Sequence, residues 1–526
     1  MPDGAAIRRR EQGRVRRAAA LAAAFLACSG CRSIPNFRLE ADPSQRPFAP
    51  IVQAFCLKKK VRCDIHFGDP NASGRALRQN KPPAFDAVWP SSTIWITRND
   101  LHNRVQDQKS IAVDPVVLGI RSDVATRLGW VGEPVSWADI RLAVTTGKLS
   151  YITPNPGGSS AGSLIYLSML SRGHIIDEMT LTDPSSQLAA GQLIAGASRT
   201  AESPMALQED YLTLAKEKRG PTGIWALEST LKEINVGLRI ERRPLLYAIY
   251  PNEGAAAADS PLGYVEHGQS AEVRAFFNLL QAHLLAPKRQ AIIARGGKRP
   301  LAAGAPSPPP QPDWNYNPSS KIVVVKPPPP VLTQRALALY ETTLRRPSLT
   351  GFCLDYSGSM EGTEERQLRE ALSTLLGPPI GAGEIPKWST RDRLLFLPFD
   401  KTVRTVWQGD GGQISLNRIF RGLAAEKAHG GSSAYGCAKQ AIRTMSPYLG
   451  KGYAPAVVLL TDGHSDGATA FEAFWRKHGH GVPIFVVTLG KADKREMAGL
   501  AGVTEGRVFD GSRDLAGALD AARDYN

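Results

Sequence analysis

The sequence predicts an α/β protein of two modules joined by a proline-rich stretch, and three observations carry this. Strand-like and helix-like runs alternate before residue 300 and again after residue 345. The strand runs of the second part are almost continuously apolar, as in a parallel sheet covered on both faces. Between the parts, residues 302–313 read AAGAPSPPPQPD and 326–330 read KPPPP, compositions that make stiff, extended spacers. The boundaries that follow are 1–31, 36–300, 301–345 and 346–526. With 42% apolar and 21% charged residues, the chain is no polytopic membrane protein, collagen or wholly disordered segment.

The first segment reads as an address. Arg8-Arg9-Arg10 and Arg16-Arg17 precede an apolar run of 11 residues, 18–28. A spanning helix needs about 20 apolar residues. A basic start with a short apolar run instead indicates a secretory signal. Leu26-Ala27 before Cys28, and Ser29-Gly30 before Cys31, resemble the bacterial lipobox, in which the cysteine is lipidated and becomes the mature N-terminus. Both registers stay open, and an unlipidated signal is the alternative. No later run is long and apolar enough to span a bilayer. The body is therefore expected at the extracytoplasmic face of a bacterial envelope.

In the first module, residues 61–67, 87–89, 113–120 and 245–250 read as strands. Residues 134–147, PVSWADIRLAVTTG, read as an amphipathic helix with Ser136 at the N-cap and Asp139 at N3. Further helices are expected over 159–170 and 271–285. Such alternation argues for α/β lobes. In the second module, strands are expected at 349–354, 394–399, 457–461 and 484–489. Helices are expected at 364–376, 434–445, 468–478 and 515–523. This is the pattern of a doubly wound parallel sheet, whose ligands sit at the carboxyl ends of the strands.

One such end holds Asp355-Tyr356-Ser357-Gly358-Ser359, directly after the strand TGFCL. Asp355, Ser357 and Ser359 alternate, so their oxygens can converge, and hard divalent cations take oxygen ligands. Ser432, in Gly430-Gly431-Ser432-Ser433, and Asp462, after VVLLT, offer oxygens at other strand ends. These residues resemble the metal-ion-dependent adhesion site (MIDAS) of the von Willebrand factor type A (VWA) domain. That pattern is Asp-x-Ser-x-Ser, a Thr after Gly-Gly, and an Asp in a Thr-Asp-Gly loop. Ser432 stands where the family has Thr, which keeps the hydroxyl but loosens its side-chain restraint. The resemblance implies Mg²⁺ or Mn²⁺ at Asp355, Ser357, Ser359, Ser432 and Asp462. One open position would be filled by an acidic side chain of a partner protein.

Residues 152–162, ITPNPGGSSAG, place small residues and hydroxyls before a helix, where backbone N–H groups and the helix dipole favour an anion. The segment resembles the TPNP-x-x-SG stretch of periplasmic solute-binding proteins for sulfate and related oxyanions. Ala87-Val88-Trp89-Pro90-Ser91-Ser92 resembles that family's ligand loop. Trp137-Ala138-Asp139-Ile140 resembles its Trp-x-Asp helix, and residues 292–300 its last helix. The implied fold is a two-lobed, periplasmic-binding-protein-like (type 2) module followed by a Rossmann-like VWA domain. Ser91, Ser92, Ser159 and Ser160 become candidate solute ligands, although helix capping alone also accounts for hydroxyls there.

Rival chemistry is thinner. Residues 158–162 also fit G-x-S-x-G, a nucleophile elbow at Ser160, with Asp259 and His267 downstream. Pro154 and Pro156 are expected to spoil the strand this elbow needs. No HExxH or paired CxxC supports zinc. Six cysteines exclude a disulfide-built scaffold. In an exported chain Cys56 and Cys63 can pair, while Cys353 and Cys437 are expected as buried apolar thiols. The net charge of +15 suits an anionic ligand or an anionic membrane surface. Without a basic stripe interleaved with aromatics, it does not indicate nucleic acid. The expectation is a non-catalytic, lipid-anchored binding protein, resembling bacterial substrate-binding-and-VWA proteins. The alternatives are the solute-binding component of an ABC transporter, a Ser160 hydrolase, and an adhesin or scaffold with a vestigial cleft.

Overall fold

The structure is a computed structural model that describes residues 36–68, 70–201, 203–214, 220–302, 304–378, 385–462, 467–490 and 492–525. Cys28 and Cys31, the candidates for lipidation, lie outside the described residues.

The chain enters the first lobe through β1 (Asn36–Ala41), β2 (Arg62–His66), β3 (Ala87–Trp89) and β4 (Val105–Ser110). It crosses to a second lobe through β5 (Ala112–Arg121), then forms β6 (Tyr151–Pro154), β7 (Ala197–Ala201), β8 (Gly223–Leu227), β9 (Leu246–Ile249) and β10 (Ala257–Ala258). It returns through β11 (Pro261–Val265). The first sheet has the order β2-β1-β3-β11-β4 and the second β10-β5-β8-β6-β7, with β9 and β12 (Arg299–Pro300) also on β5. Two lobes linked where the chain crosses at β5, at β11 and again at β12 make the expected clamp-like module. β5 can serve as its spine because AVDPVVLGIR is buried along nearly its whole length.

Buried polar groups fix the crossings. Lys298 Nζ donates to Gln45 Oε1 at 2.8 Å and to Ser260 Oγ at 2.9 Å. Arg299 meets Glu228 through Nε at 2.9 Å and Nη2 at 2.8 Å, and the Tyr250 hydroxyl donates to the same carboxylate at 2.5 Å. Each charge removed from water here has a partner, as burial requires. Capping follows the sequence reading: Ser136 and Asp139 form a full capping box on the helix Trp137–Thr145.

The stretch expected to be a free spacer is packed instead. Trp314 and Tyr316 are buried and stack at 4.6 Å between ring centroids, with Gln311 and Tyr316 bonded backbone to backbone. Val325 N–H donates to Ala255 O at 2.9 Å. The helix Pro330–Leu339 seats on the second lobe, where the Tyr166 hydroxyl donates to Ala336 O at 2.7 Å. Proline removes ladder donors but starts helices well, and the aromatics between the proline runs supply the area that packs. The linker is thus a strap along the second lobe.

In the second module, β13 (Ser348–Asp355), β14 (Arg393–Phe399), β15 (Trp407–Gly409), β16 (Ala454–Thr461), β17 (Ile484–Thr488) and β18 (Val508–Asp510) form one sheet. Its order is β15-β14-β13-β16-β17-β18, parallel except for β15. Helices Thr363–Leu376, Gln413–Ala424 and Leu515–Asp524 cover one face; Ala434–Met445, Ala468–His478 and Lys494–Val503 cover the other.

Cys353 and Cys437 are not thiols as expected but a disulfide joining β13 to the helix Ala434–Met445. Their separation of 84 residues concealed a pairing that only the strand–helix contact brings about. Cys56 and Cys63 form a second disulfide. The modules share one apolar core, from Ile152, Leu207 and Tyr211 of the second lobe to Phe509, Leu519 and Tyr525 of the other module. Arg507 pairs with Glu209 at 2.5 Å, and Arg75 of the first lobe pairs with Asp514.

Candidate functional site

The five residues singled out for the metal converge at the carboxyl ends of β13 and β16. Asp355 is fully buried and accepts three hydrogen bonds: Ser357 N–H at 2.9 Å, Ser432 Oγ at 2.9 Å and Thr461 Oγ1 at 2.8 Å. Ser357 Oγ and Ser359 Oγ lie 3.1 Å apart, and Ser359 Oγ donates to Asp462 Oδ1 at 2.8 Å. Gly358, Ser359 and Gly430 are exposed, so the cluster opens outward.

Burial pushes the Asp462 carboxyl up, and the charges of Asp355 and Glu364 push it the same way. Two carboxylates drawn together out of water favour a cation between them. Among the described residues no three His, Cys, Asp or Glu come together, so this donor set is two carboxylates and three hydroxyls. All are hard oxygens, which fit Mg²⁺ or Mn²⁺. A cation held there by Asp355, Ser357, Ser359, Ser432 and Asp462 would supply a positive point for an anionic group.

The surrounding structure sets the loops. Arg404 donates to Tyr356 O at 3.0 Å, to Lys427 O at 2.7 Å and to Asp400 Oδ2 at 3.0 Å. Asp400 O in turn takes Ser433 N–H at 2.8 Å, and Gly358 N–H reaches Gly430 O at 2.9 Å. One guanidinium thereby ties together the loops bearing Asp355 and Ser432. Sequence reading missed Thr461 and Arg404. Thr461 has a signal, since it precedes Asp462 in the Thr-Asp-Gly loop; Arg404 has none.

The candidate solute residues sit at two helix starts whose helices meet. Ser92 Oγ accepts Ile94 N–H at 3.2 Å, capping the helix Thr93–Asn99. Asp259 accepts Thr93 N–H at 2.7 Å and Thr93 Oγ1 at 2.5 Å. Ser91 is buried, and its carbonyl takes Ser260 N–H at 2.9 Å. Ser159 caps the helix Ser160–Ser171, accepting Gly162 N–H at 3.4 Å, and Asn155 Oδ1 takes Gly157 N–H at 2.7 Å and Gly158 N–H at 3.2 Å. Gly162 must lack a side chain, because a Cβ there would meet the Asn155 carbonyl. From the first lobe, Arg98 donates to Gly157 O and lies 3.4 Å from Ser163 Oγ.

The strand that Pro154 was expected to spoil exists: β6 runs to Pro154, its last residue, where β7 still pairs and β8, paired only at Tyr151 and Ile152, asks no ladder donor of it. The elbow is still not assembled among the described residues. Asp259 serves Thr93 and Ser110, and His267 Nε2 lies 3.1 Å from Asp86 Oδ1.

A two-lobed module beside a doubly wound domain with an oxygen-lined loop cluster defines a class of binding proteins. Residues 41–299 match the family of bacterial extracellular solute-binding proteins, and residues 351–518 match the VWA domain. The chain therefore joins a solute-binding domain to a VWA domain. Among solved structures it is similar to the periplasmic binding protein AfuA from Actinobacillus pleuropneumoniae, at 11% identity over 58% of this chain and 94% of that one, TM-score 0.40. The ferric binding protein from Campylobacter jejuni is similar at 9% identity over 57% and 96%, TM-score 0.42. Iron-bound HitA from Pseudomonas aeruginosa is similar at 12% over 57% and 96%, TM-score 0.40. The comparison with curated proteins found no match.

Proposed function

We propose that this is an exported, non-catalytic binding protein, lipid-anchored through Cys28 or Cys31. Its first module takes a small anionic solute. Its VWA domain binds an acidic side chain of a partner protein through Mg²⁺ or Mn²⁺. The convergence of Asp355, Ser357, Ser359, Ser432 and Asp462 into one hydrogen-bonded oxygen cluster is the observation that carries this reading. The extracellular character of the matched family supports export. No helix among the described residues is long and apolar enough to cross a membrane.

A second reading, a scaffold with a vestigial cleft, draws support from Asp259, a carboxylate of the chain itself on the Thr93 amide.

Thermal unfolding with Mg²⁺ or Mn²⁺, and with a panel of oxyanions, tests these readings. A ligand at about 100 times its Kd adds roughly 2.7 kcal/mol, worth several degrees in Tm. Mg²⁺ should raise Tm in the natural chain and leave Asp355→Ala unmoved. No shift with either metal would overturn the metal-dependent reading, and a shift with one oxyanion would overturn the vestigial one.

A further inference from the structure

The start of the Ser160–Ser171 helix is covered by the chain's own C-terminal helix. A side chain at Gly158 would collide with Asp524 Oδ2, and one at Gly157 with Glu341 Oε1. Asp524 is 5% exposed, and the described donor to its carboxylate is Arg523 Nη2 at 2.5 Å. Its backbone carbonyl accepts Asn155 Nδ2 at 3.1 Å and Thr200 Oγ1 at 2.7 Å, both from the second lobe. At the other end of the same helix the N-cap Asp514 pairs with Arg75 of the first lobe. The helix Leu515–Asp524 thus holds one lobe at each end and sets a carboxylate against the glycine turn that sequence reading assigns to an anion. Arg98, from the first lobe, feels both Asp524 and Glu341.

We propose that the helix Leu515–Asp524 is a built-in occupant of the two-lobe cleft. It latches the lobes together, and its Asp524 carboxylate excludes a small oxyanion from the turn at residues 157–160 until the helix leaves. This rests on the reading of that turn as an anionic-solute site and adds its regulation. The solute and the docked C-terminal helix are mutually exclusive, and the gating element belongs to the VWA domain.

Hydrogen exchange of the full-length protein, with calorimetric titration of inorganic phosphate and sulfate, tests this. Arg75→Ala/Thr200→Val loosens both ends of the latch without touching the turn, and Asp524→Ala removes the competing carboxylate. Unchanged Mg²⁺ binding shows that each variant retains its VWA fold. In both variants the amides of residues 159–162 should exchange faster. Anion affinity should rise by about tenfold or more if the free cleft is populated at about a tenth in the natural chain. Anion added to the natural chain should speed exchange over residues 515–524. Unchanged exchange at residues 159–162 in both variants overturns the latch. So does anion binding to the natural chain, at the variants' affinity, with no change over 515–524. Faster exchange with no phosphate or sulfate binding in any variant leaves the latch standing and overturns the anionic-solute reading beneath it.

Discussion

At the scale of single residues, the metal cluster separates what alternation encodes from what only the fold supplies. Asp355, Ser357 and Ser359 alternate in one loop, and Asp462 closes an apolar strand; a strand-end argument finds all four. Thr461 does its work one residue earlier, as the last residue of β16, donating to Asp355 Oδ2 at 2.8 Å. Groups that orient metal ligands typically carry 10- to 100-fold in affinity. Thr461→Val keeps the shape and removes the donor, so Mg²⁺ affinity should fall by about 10- to 100-fold, read by calorimetric titration. Ser432→Thr should bind at least as tightly as the natural chain, because the branched side chain holds the same hydroxyl in fewer rotamers. Weaker binding would mean that Ser432 is oriented by its surroundings. Arg404 was illegible for a plain reason: its partners are the carbonyls of Tyr356 and Lys427 and the Asp400 carboxylate, and backbone acceptors leave no trace in a sequence.

At the scale of elements, legibility followed periodicity. The helices at 271–285, 434–445 and 468–478 emerge with their expected bounds. Gln413–Ala424 and Lys494–Val503 were passed over, although both bury apolar residues at helical spacing. The proline-rich strap misled because composition reports stiffness and not what a stiff segment lies against. Ser136→Ala breaks a capping box and should cost about 1 kcal/mol, seen as a lower denaturation midpoint with the same denaturant slope. The Cys353–Cys437 disulfide closes a loop of 84 residues and links the strand leading to Asp355 with the helix that follows Ser432. Replacing both cysteines by Ala should cost about 2–4 kcal/mol and weaken Mg²⁺ binding as well. A loss of stability with intact metal affinity would confine the disulfide to the core.

At the scale of the whole molecule, the two modules are not beads on a string. Ile152, Leu207 and Tyr211 share one core with Phe509, Leu519 and Tyr525, and the strap's Trp314 and Tyr316 belong to it too. Calorimetry of the full chain should therefore show one cooperative transition across both modules, where independent domains would give two. Asp524, at the junction, makes that stability depend on pH. Burial raises its carboxyl to about 6; Arg523 opposes the rise, while Asp520 and Glu341 add to it. In the unfolded chain the same group titrates near 3.8. Between those two values the folded chain holds a proton that the unfolded chain has released, so stability falls as pH rises. Its contribution is complete below 3.8 and lost as pH passes through about 6. Asp114 behaves alike: burial lifts it to about 6, against Lys298 and its bonds from Ser229. Asp524→Asn should flatten the fall in stability between about pH 4 and 6, measured by denaturant unfolding at stepped pH, and Asp114→Asn should flatten it further. Since Asp114 sits in β5 and Asp524 at the module junction, additive changes in slope would show two independent buried carboxyls. A change confined to Asp114→Asn would mean that Asp524 keeps its charge when folded, balanced by Arg523.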